Sequence, residues 1–317
     1  MSEIRNWIKE LKENDRIYCS YLVTNVTKGV TNNNAAYLSI TLQDNTGTIE
    51  AKKWDANEVD AETFKIGSIV LVKAEVINYR TGLQLKVLSG EVLDLDSIDL
   101  SIYTMSAPIP LDELKVNLEE YVDSIKDEEF HLLVKEIITP IYDLFTVYPA
   151  AVRNHHEYTS GLLYHTLSMA KLASSIASCY PSINYDLLMS GVLLHDIGKT
   201  IELTRPPIVK YSKEGRLIGH ISIMHSIIRE TAFKLGIEDE KRILLEHMIL
   251  SHHGKHEYGS PVLPLTREAL LLHMIDDMDA KMTIIDKAFA NIEEGEFTPK
   301  LFPLDERCFY KPKFNKD

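Results

Sequence analysis

Cysteine is scarce in this chain. Cys19, Cys179 and Cys308 stand far apart, with no Cys-x-x-Cys spacing. That excludes a thiolate zinc finger and a disulfide framework, and it predicts reduced thiols in a cytoplasmic protein. Long apolar runs are missing too: none approaches the roughly 18 residues that a membrane span needs, so no membrane partner is expected. The N-terminal stretch, residues 1–14, mixes charge with Trp7, Ile8 and Leu11. It predicts a short amphipathic helix and not a signal peptide. Positive charge is in deficit, with 34 Lys and Arg against 47 Asp and Glu, a net charge of −13. That argues against broad electrostatic binding of a polynucleotide, while leaving room for a short single strand gripped by stacking and by metal ions. There is no internal repeat and no low-complexity tract.

What is present suits two domains: 317 residues, 45% of them apolar. Residues 15–93 read as β structure. Strands are predicted at 17–23, 37–42, 49–54, 67–78 and 83–92, with a short helical link at 59–64. Asp44-Asn45-Thr46-Gly47 is a hairpin signal. Five short strands and one connecting helix resemble an OB-fold, a small barrel that often binds single-stranded nucleic acid. Tyr37, Trp54 and Tyr79 are either stacking platforms for bases or packing residues of the barrel. The stretch 15–94 carries eight Lys and Arg against ten Asp and Glu, so it has no basic stripe, and docking or gating is an alternative duty for it. Residues 94–110 read as a linker, with Asp94, Asp96 and Asp99 followed by Pro108 and Pro110. From 111 to 296 the period is helical, and helices are predicted at 111–124, 127–144 (interrupted near Pro140), 161–180, 185–197, 218–235, 239–252 and 265–292. A loop is predicted at 205–215, and the tail, 297–317, has no clear pattern. The fold class is therefore multidomain α and β, an OB-like barrel followed by an all-α domain.

The all-α part is organised around Gly191-Val192-Leu193-Leu194-His195-Asp196-Ile197-Gly198-Lys199. An apolar helical run ends in a histidine beside an aspartate, and Gly198 reads as a helix stop that lets Lys199 turn back. Imidazole next to carboxylate suits a divalent metal, and a carboxylate can bridge two. Further candidates sit on neighbouring helices, mostly near their ends: His165 early in one, His220 at the start of another, His252 and His253 at the end of a third, and Asp276 within the last. A single histidine on an apolar face is usually a core residue; several on successive helices favour a metal centre. Nitrogen and carboxylate donors without thiolate suit Mn²⁺, Fe²⁺, Co²⁺, Ni²⁺ or Mg²⁺, with Zn²⁺ as a further alternative.

The ordered set His…His-Asp…His…His…Asp resembles the HD-domain metal-dependent phosphohydrolases, with His-Asp-Ile-Gly-Lys at 195–199 and Ser-His-His-Gly at 251–254 as close matches. The resemblance implies two divalent ions, Mn²⁺ favoured, one held by His165, His195, Asp196 and Asp276 and the other by Asp196, His220 and His252. His253 is an alternative to His252. The cyclic-di-GMP variant of the family carries Gly-Tyr-Pro after its double histidine, and this chain does not. Fused to an OB-like barrel, the whole chain looks like the YhaM-type 3′-5′ exoribonucleases of Gram-positive bacteria. It departs from that pattern in two ways: Ser160 precedes Gly161 where a second glycine is common, and the barrel is not basic.

This resemblance implies phosphodiester hydrolysis on single-stranded RNA, with single-stranded DNA as a further substrate, by a two-metal-activated water, in a monomer or a homo-oligomer. Asp196 and Lys199 are the catalytic candidates, Lys199 as a cation beside developing negative charge. Arg153, His155 and His156 lie in the loop before the first ligand helix and either touch phosphate or base or form a solvated turn. His225, His247, His256 and His273 read as structural. The competing expectations are a nucleotide or cyclic-nucleotide phosphohydrolase with a regulatory barrel, and a nucleic-acid-binding protein with a relic site, which the intact ligand set disfavours.

Overall fold

In the computed structural model of the chain, the described residues are 5–31, 33–79, 82–94, 102–104, 107–150, 159–206 and 209–313. They form two compact units, Met1–Ser106 and Ala107–Asp317.

The first unit is a closed barrel of five strands: β1 (Arg16–Val30), β2 (Ala36–Asp44), β3 (Gly47–Trp54), β4 (Ile69–Tyr79) and β5 (Gly82–Val92), with α1 (Glu58–Thr63) between β3 and β4. The order around the barrel is β1-β2-β3-β5-β4; β3 and β5 pair in parallel and the other neighbours antiparallel. This is the predicted OB-type barrel. Period-two alternation sends Leu38, Ile40 and Leu42 of β2 into a core shared with Tyr21, Val72 and Leu85. β1 runs past its predicted end because it serves two neighbours. Arg16–Leu22 pairs with β4, and after an irregularity between Val23 and Asn25 the strand continues along β2. The second half turns outward and loses the apolar alternation that would have marked it as strand. The β2–β3 hairpin is held by Asp44, a fully buried carboxylate that accepts Thr46 N at 2.8 Å, Thr46 Oγ1 at 2.6 Å and Ile8 N at 2.8 Å.

That last bond corrects the expected N-terminal helix. Among the described residues the segment forms one 3₁₀ turn, Ile8–Glu10. Asp44 takes Ile8 N–H, Tyr21 Oη donates to Asn6 O at 2.6 Å, and the Arg5 guanidinium lies 4.8 Å from the Trp7 ring centroid and 4.7 Å from that of Tyr103. Tertiary partners spread the segment along the barrel and outweigh its helical pattern. The expected linker 94–110 is likewise not all linker. Tyr103 is buried, its hydroxyl 2.6 Å from Ser20 Oγ and its carbonyl accepting from Gln43 Nε2 at 3.0 Å.

The second unit is helical: α2 (Leu111–Ser124), α3 (Glu128–Ile138), α4 (Tyr142–Val147), α5 (Gly161–Cys179), α6 (Tyr185–Leu194), α7 (Lys199–Glu202), α8 (Lys213–Ile218), α9 (His220–Leu235), α10 (Asp239–Ser251) and α11 (Arg267–Phe289). Pro140 divides α3 from α4 through a 3₁₀ turn. α6 is the centre. The Asn184 side chain caps it by accepting Leu187 N, and every residue from Leu187 to Leu194 is buried. A helix apolar all round has to be enclosed, and here Leu133, Leu163, Leu245, Met248 and Leu272 of four other helices belong to the same core. Gly191 makes the closest approach possible, since a Cβ there would lie 2.3 Å from Met248 Cε. The expected loop at 205–215 gives way to α8 from Lys213, capped by Ser212. The tail folds back on itself through bridges Phe297–Tyr310 and Leu301–Arg307. Among the described residues no helix is long and apolar enough to cross a membrane, and Cys19, Cys179 and Cys308 are all free thiols.

Candidate metal centre

The helix ends of the second unit bring the predicted ligands together. α6 stops at Leu194 and the chain turns through His195, Asp196 and Ile197 into α7. Gly198 is not the left-handed stop that its sequence suggests: it has φ −54°. It is glycine because the backbone of His220 lies against it, where a Cβ would sit 2.4 Å from His220 O. That contact holds the start of α9 against the His-Asp turn. Gly219, with φ +78°, aims the chain into α9 so that His220 is its first residue. α10 delivers His252 just after its last turn, and Gly254, φ +74°, reverses the chain where any Cβ would meet the His273 ring at 2.3 Å. Ser160, at the position where a second glycine is common, has φ +64°. That left-handed backbone is the physical reason for glycine there, and serine adopts it at some cost.

Asp196, 3% exposed, is the hub. Its Oδ2 lies 3.3 Å from His195 Nε2 and 3.8 Å from His165 Nε2, and its Oδ1 lies 3.4 Å from His220 Nε2 and 3.8 Å from His252 Nε2. Asp276 Oδ1 lies 3.3 Å from His165 Nε2. Among the described residues, two groups have donor atoms within 4.8 Å of one another and could each hold a cation: His165, His195 and Asp276; and His220, His252 and His253. The two oxygens of one carboxylate therefore face two separate donor groups.

The backing of the rings tests whether these residues fit metal. The Nδ1 of His195 donates to Val192 O at 2.9 Å and that of His252 to Ile249 O at 2.7 Å. His165 Nδ1 lies 2.7 Å from Asp279 Oδ2, and His220 Nδ1 lies 3.1 Å from Glu202 Oε1. Every ring is thereby fixed with Nε2 toward Asp196, the arrangement that orients metal-binding histidines. The Nε2 atoms of His195, His220 and His252 and the Oδ1 of Asp196 are buried with no hydrogen-bond partner. Buried polar atoms rarely go unsatisfied, and divalent cations held by the two donor groups would satisfy all four. A donor set of imidazole and carboxylate without thiolate fits the borderline and hard divalent ions.

The electrostatics agree. Burial raises the Asp196 carboxyl, but Lys199, His195 and His220 around it hold it well below the usual carboxylate range. Asp276 is held down against burial by His165 and His195. Burial lowers His165, but the Asp276 and Asp279 carboxylates beside it prevail and raise it to about 10, a negative setting that equally favours a cation bound at Nε2. Desolvation keeps His252 and His253 neutral, with lone pairs available. Lys199 is largely buried, its Nζ 2.6 Å from Asp196 Oδ2. Burial lowers it, and Asp196 more than restores it, so it stays an ammonium.

Three features had little or no signal in the sequence. Asp279 stands behind His165 and also accepts the Ser168 hydroxyl; its place three residues after Asp276 on one helix was the available hint. Glu202 accepts both His220 N and Nδ1, each at 3.1 Å, and nothing in a four-residue helix announces it. His253 joins His252 at the site where one of the two was expected. The four histidines expected to be structural make such bonds: His273 Nδ1 donates to His252 O at 3.1 Å, His247 Nε2 accepts Leu265 N at 2.9 Å, His256 Nδ1 bonds to Ser260 O and His225 faces Glu246.

On the barrel, Tyr37 of β2 and Trp54 of β3 are register partners with ring centroids 5.2 Å apart, and Lys52 Nζ lies 4.8 Å from the Tyr37 centroid. Trp54 is 42% exposed and Tyr79, at the end of β4, 52%. Neither is a core residue of the barrel. Arg153, His155 and His156 lie outside the described residues.

The HD domain model matches residues 162–281, and the model of the OB-fold nucleic acid binding domain matches 22–93. Fold and site together define a hydrolase of the HD class that carries an N-terminal OB barrel. The 3′-5′ exoribonuclease YhaM of Geobacillus sp. (strain WCH70) is 42% identical over 295 residues, covering 93% of this chain and 91% of that protein. Those of Bacillus pumilus (strain SAFR-032) and Bacillus subtilis (strain 168) are each 42% identical over 296 residues, covering 93% of this chain and 94% of each. The chain belongs to the YhaM family.

Proposed function

We propose that this protein is a metal-dependent 3′-5′ exoribonuclease that hydrolyses single-stranded RNA, with Asp196 shared between two cation positions. The observation that carries the two-position reading is the split of the Asp196 carboxylate, Oδ2 toward His165 and His195 and Oδ1 toward His220 and His252. The 42% identity to the YhaM exoribonucleases over 93% of the chain supports RNA as substrate and the 3′ end as the point of attack. Two divalent ions, with Mn²⁺ among those that the imidazole and carboxylate donors suit, would supply charge neutralisation at the phosphodiester and a water of lowered pKa.

The chain's own residues do the rest. Asp196 and Asp276 stay ionised and hold the centre's negative charge. Asp279 and Glu202 orient His165 and His220. Lys199, fixed against Asp196, presents a positive charge where negative charge develops on the phosphoryl oxygens. Tyr37, Trp54 and Tyr79 offer the faces on which bases of a single strand stack, with Lys52 beside the Tyr37 ring, which accommodates binding in a protein of net charge −13. The free thiols support a cytoplasmic setting.

The test is incubation of the purified full chain and Mn²⁺ with end-labelled single-stranded RNA, single-stranded DNA and free or cyclic nucleotides. Stepwise shortening of RNA from its 3′ end is the expected result. Hydrolysis of nucleotides with RNA untouched would replace this reading by that of a nucleotide phosphohydrolase. In the same assay Asp196→Ala is expected to lose activity and most bound metal while keeping its helical circular dichroism, and undiminished metal would sink the shared-carboxylate assignment.

A further inference from the structure

The segment that joins α6 to α9 carries a charge that the rest of the chain lacks. It leaves the centre at Lys199, whose ammonium meets Asp196, and returns to it at His220. Its base is fastened. Ser212 N donates to Glu202 O at 2.8 Å, the Ser212 hydroxyl donates to Ile201 O at 2.9 Å, and Leu203 bridges Tyr211. Gly215 of α8 packs so closely on α7 that a Cβ there would lie 2.2 Å from Glu202 O. Both short helices are thus tied to the residue that orients His220, and what they carry lies beside the centre. What they carry is cationic. Arg205, Lys210, Lys213 and Arg216 are all exposed, and none has an ion-pair partner among the described residues. Of the two acids between Lys199 and Gly219, Glu202 is buried against His220 and Glu214 is exposed. Elsewhere in the helical unit bases are drawn to acids, as Lys241 is to Asp127, Arg242 to Glu246 and Lys281 to Asp277. Lys213 and Arg216, three residues apart, share a face of α8. Thr204 N donates to Lys210 O at 2.8 Å, which sets Arg205 and Lys210 across the turn from each other. Tyr211, 49% exposed, stands between the two pairs in the chain.

We propose that this segment is a second grip on the substrate, in the helical unit itself: Arg205, Lys210, Lys213 and Arg216 take phosphates of the single strand next to the scissile bond, and Tyr211 takes a base. This deepens the exoribonuclease reading and rests on it. Four unpaired cations of one sign repel one another, and a polyanion relieves that repulsion. Cations around an exposed ring suit a strand that offers phosphates and base faces in turn. The grip also accounts for a barrel with no basic stripe in a chain of net charge −13: the positive charge is kept for the place where the strand is cut. Contacts of this kind read the backbone and not the base edges, so the grip holds any sequence.

The experiment follows degradation of a long single-stranded RNA by the Mn²⁺-loaded full chain over a range of salt concentrations, with a melting curve and elemental analysis for each variant. Each lost phosphate contact flattens the plot of log kcat/KM against log salt concentration by about 0.7. The double variants Lys213→Gln with Arg216→Gln, and Arg205→Gln with Lys210→Gln, are each expected to flatten it by about 1.4, and to raise KM roughly 25-fold at about 0.1 M salt, with kcat and bound metal little changed. Their melting curves should match the wild type, because these side chains are exposed and unpaired. Tyr211→Ala should raise KM about 5–150-fold, the worth of one stacked base, and Tyr211→Phe should restore it. Lys234→Gln is the control: it removes an exposed charge near the far end of α9, about 21 Å from His220 by the helical rise, and should keep the wild-type slope. Wild-type slopes in both double variants overturn the proposal. So does equal flattening in Lys234→Gln, which would reduce the effect to net charge, and so does loss of kcat and metal at constant KM, which would make the segment a brace for the centre. A wild type that leaves RNA intact overturns the exoribonuclease reading beneath, and so is told apart from a failure of the grip alone.

Discussion

Asp279 touches no substrate in the proposed reaction, and its removal measures how much the centre depends on what stands behind it. The carboxylate is 7% exposed, with Oδ2 2.7 Å from His165 Nδ1 and Oδ1 accepting the Ser168 hydroxyl. Asp279→Ala leaves a buried imidazole N–H and a hydroxyl without this acceptor. An unmet buried donor costs about 1–3 kcal/mol. In a helical unit of this size that is roughly 2–4 °C in melting temperature per kcal/mol. The second loss is in metal binding, because His165 is then free to rotate and is less basic. Removing a residue behind a ligand lowers metal affinity about 10–100-fold, or about 1.4–2.7 kcal/mol. Asp279→Asn keeps an oxygen acceptor and loses the charge, so it should melt close to the wild type and still bind metal more weakly. Mn²⁺ titration by calorimetry, elemental analysis and a melting curve on both variants make the measurement. If Asp279→Ala binds Mn²⁺ as the wild type does, the orientation of His165 does not depend on this carboxylate and the argument fails.

Lys199→Met should lower kcat about 10²–10³-fold, the range for losing one preorganised donor, with metal content little changed; unaltered turnover would show that its charge serves only to neutralise Asp196. Trp54→Ala should leave the melting temperature of this exposed site nearly untouched and raise KM for long RNA, because stacking is worth about 1–3 kcal/mol per base, or about 5–150-fold. An unfolded barrel or an unchanged KM would refute the platform. A third expectation concerns pH. Lys241 Nζ lies 2.6 Å from Asp127 and 2.5 Å from Glu129. Burial raises Asp127, but the bonds from Lys241 and from backbone N–H groups at the start of α3 outweigh it and lower its pKa; the Lys241 bond lowers Glu129. Groups with depressed folded pKa stabilise the fold above their unfolded values near about 4 and lose that effect as pH falls through the folded values. The melting gap between wild type and Lys241→Met should therefore be open at pH 7 and close in strong acid, and a gap that persists there would contradict the pairing.

Much of this was legible in the chain itself. β-type runs between turn signals placed all five strands, and apolar periodicity placed the long helices, because each pattern is local and each element buries the face its own residues define. The candidate donors were readable because His and Asp at helix ends are costly in an apolar setting and so stand out. Errors fell where partners distant in sequence decide. Among the described residues of the N-terminal segment only 8–10 form a helical turn, because Asp44 and Tyr21 take the chain around it. Tyr103 left the linker for the barrel because Ser20 and Gln43 offer it bonds. Gly198 looked like a helix stop, and its actual reason, the backbone of His220, comes from another helix.

The sequence by itself determined the two-unit plan, the barrel, the helical bundle and the kinds of atom available at the centre. Tertiary structure alone decided that Asp196 turns one oxygen to each donor group, that His252 and His253 both reach the site, and that Glu202 and Asp279 stand behind His220 and His165. The reason is geometric. Ligand identity is a property of single residues, whereas ligand direction depends on how helix ends meet, to within a few tenths of an ångström, through glycines packed against backbone.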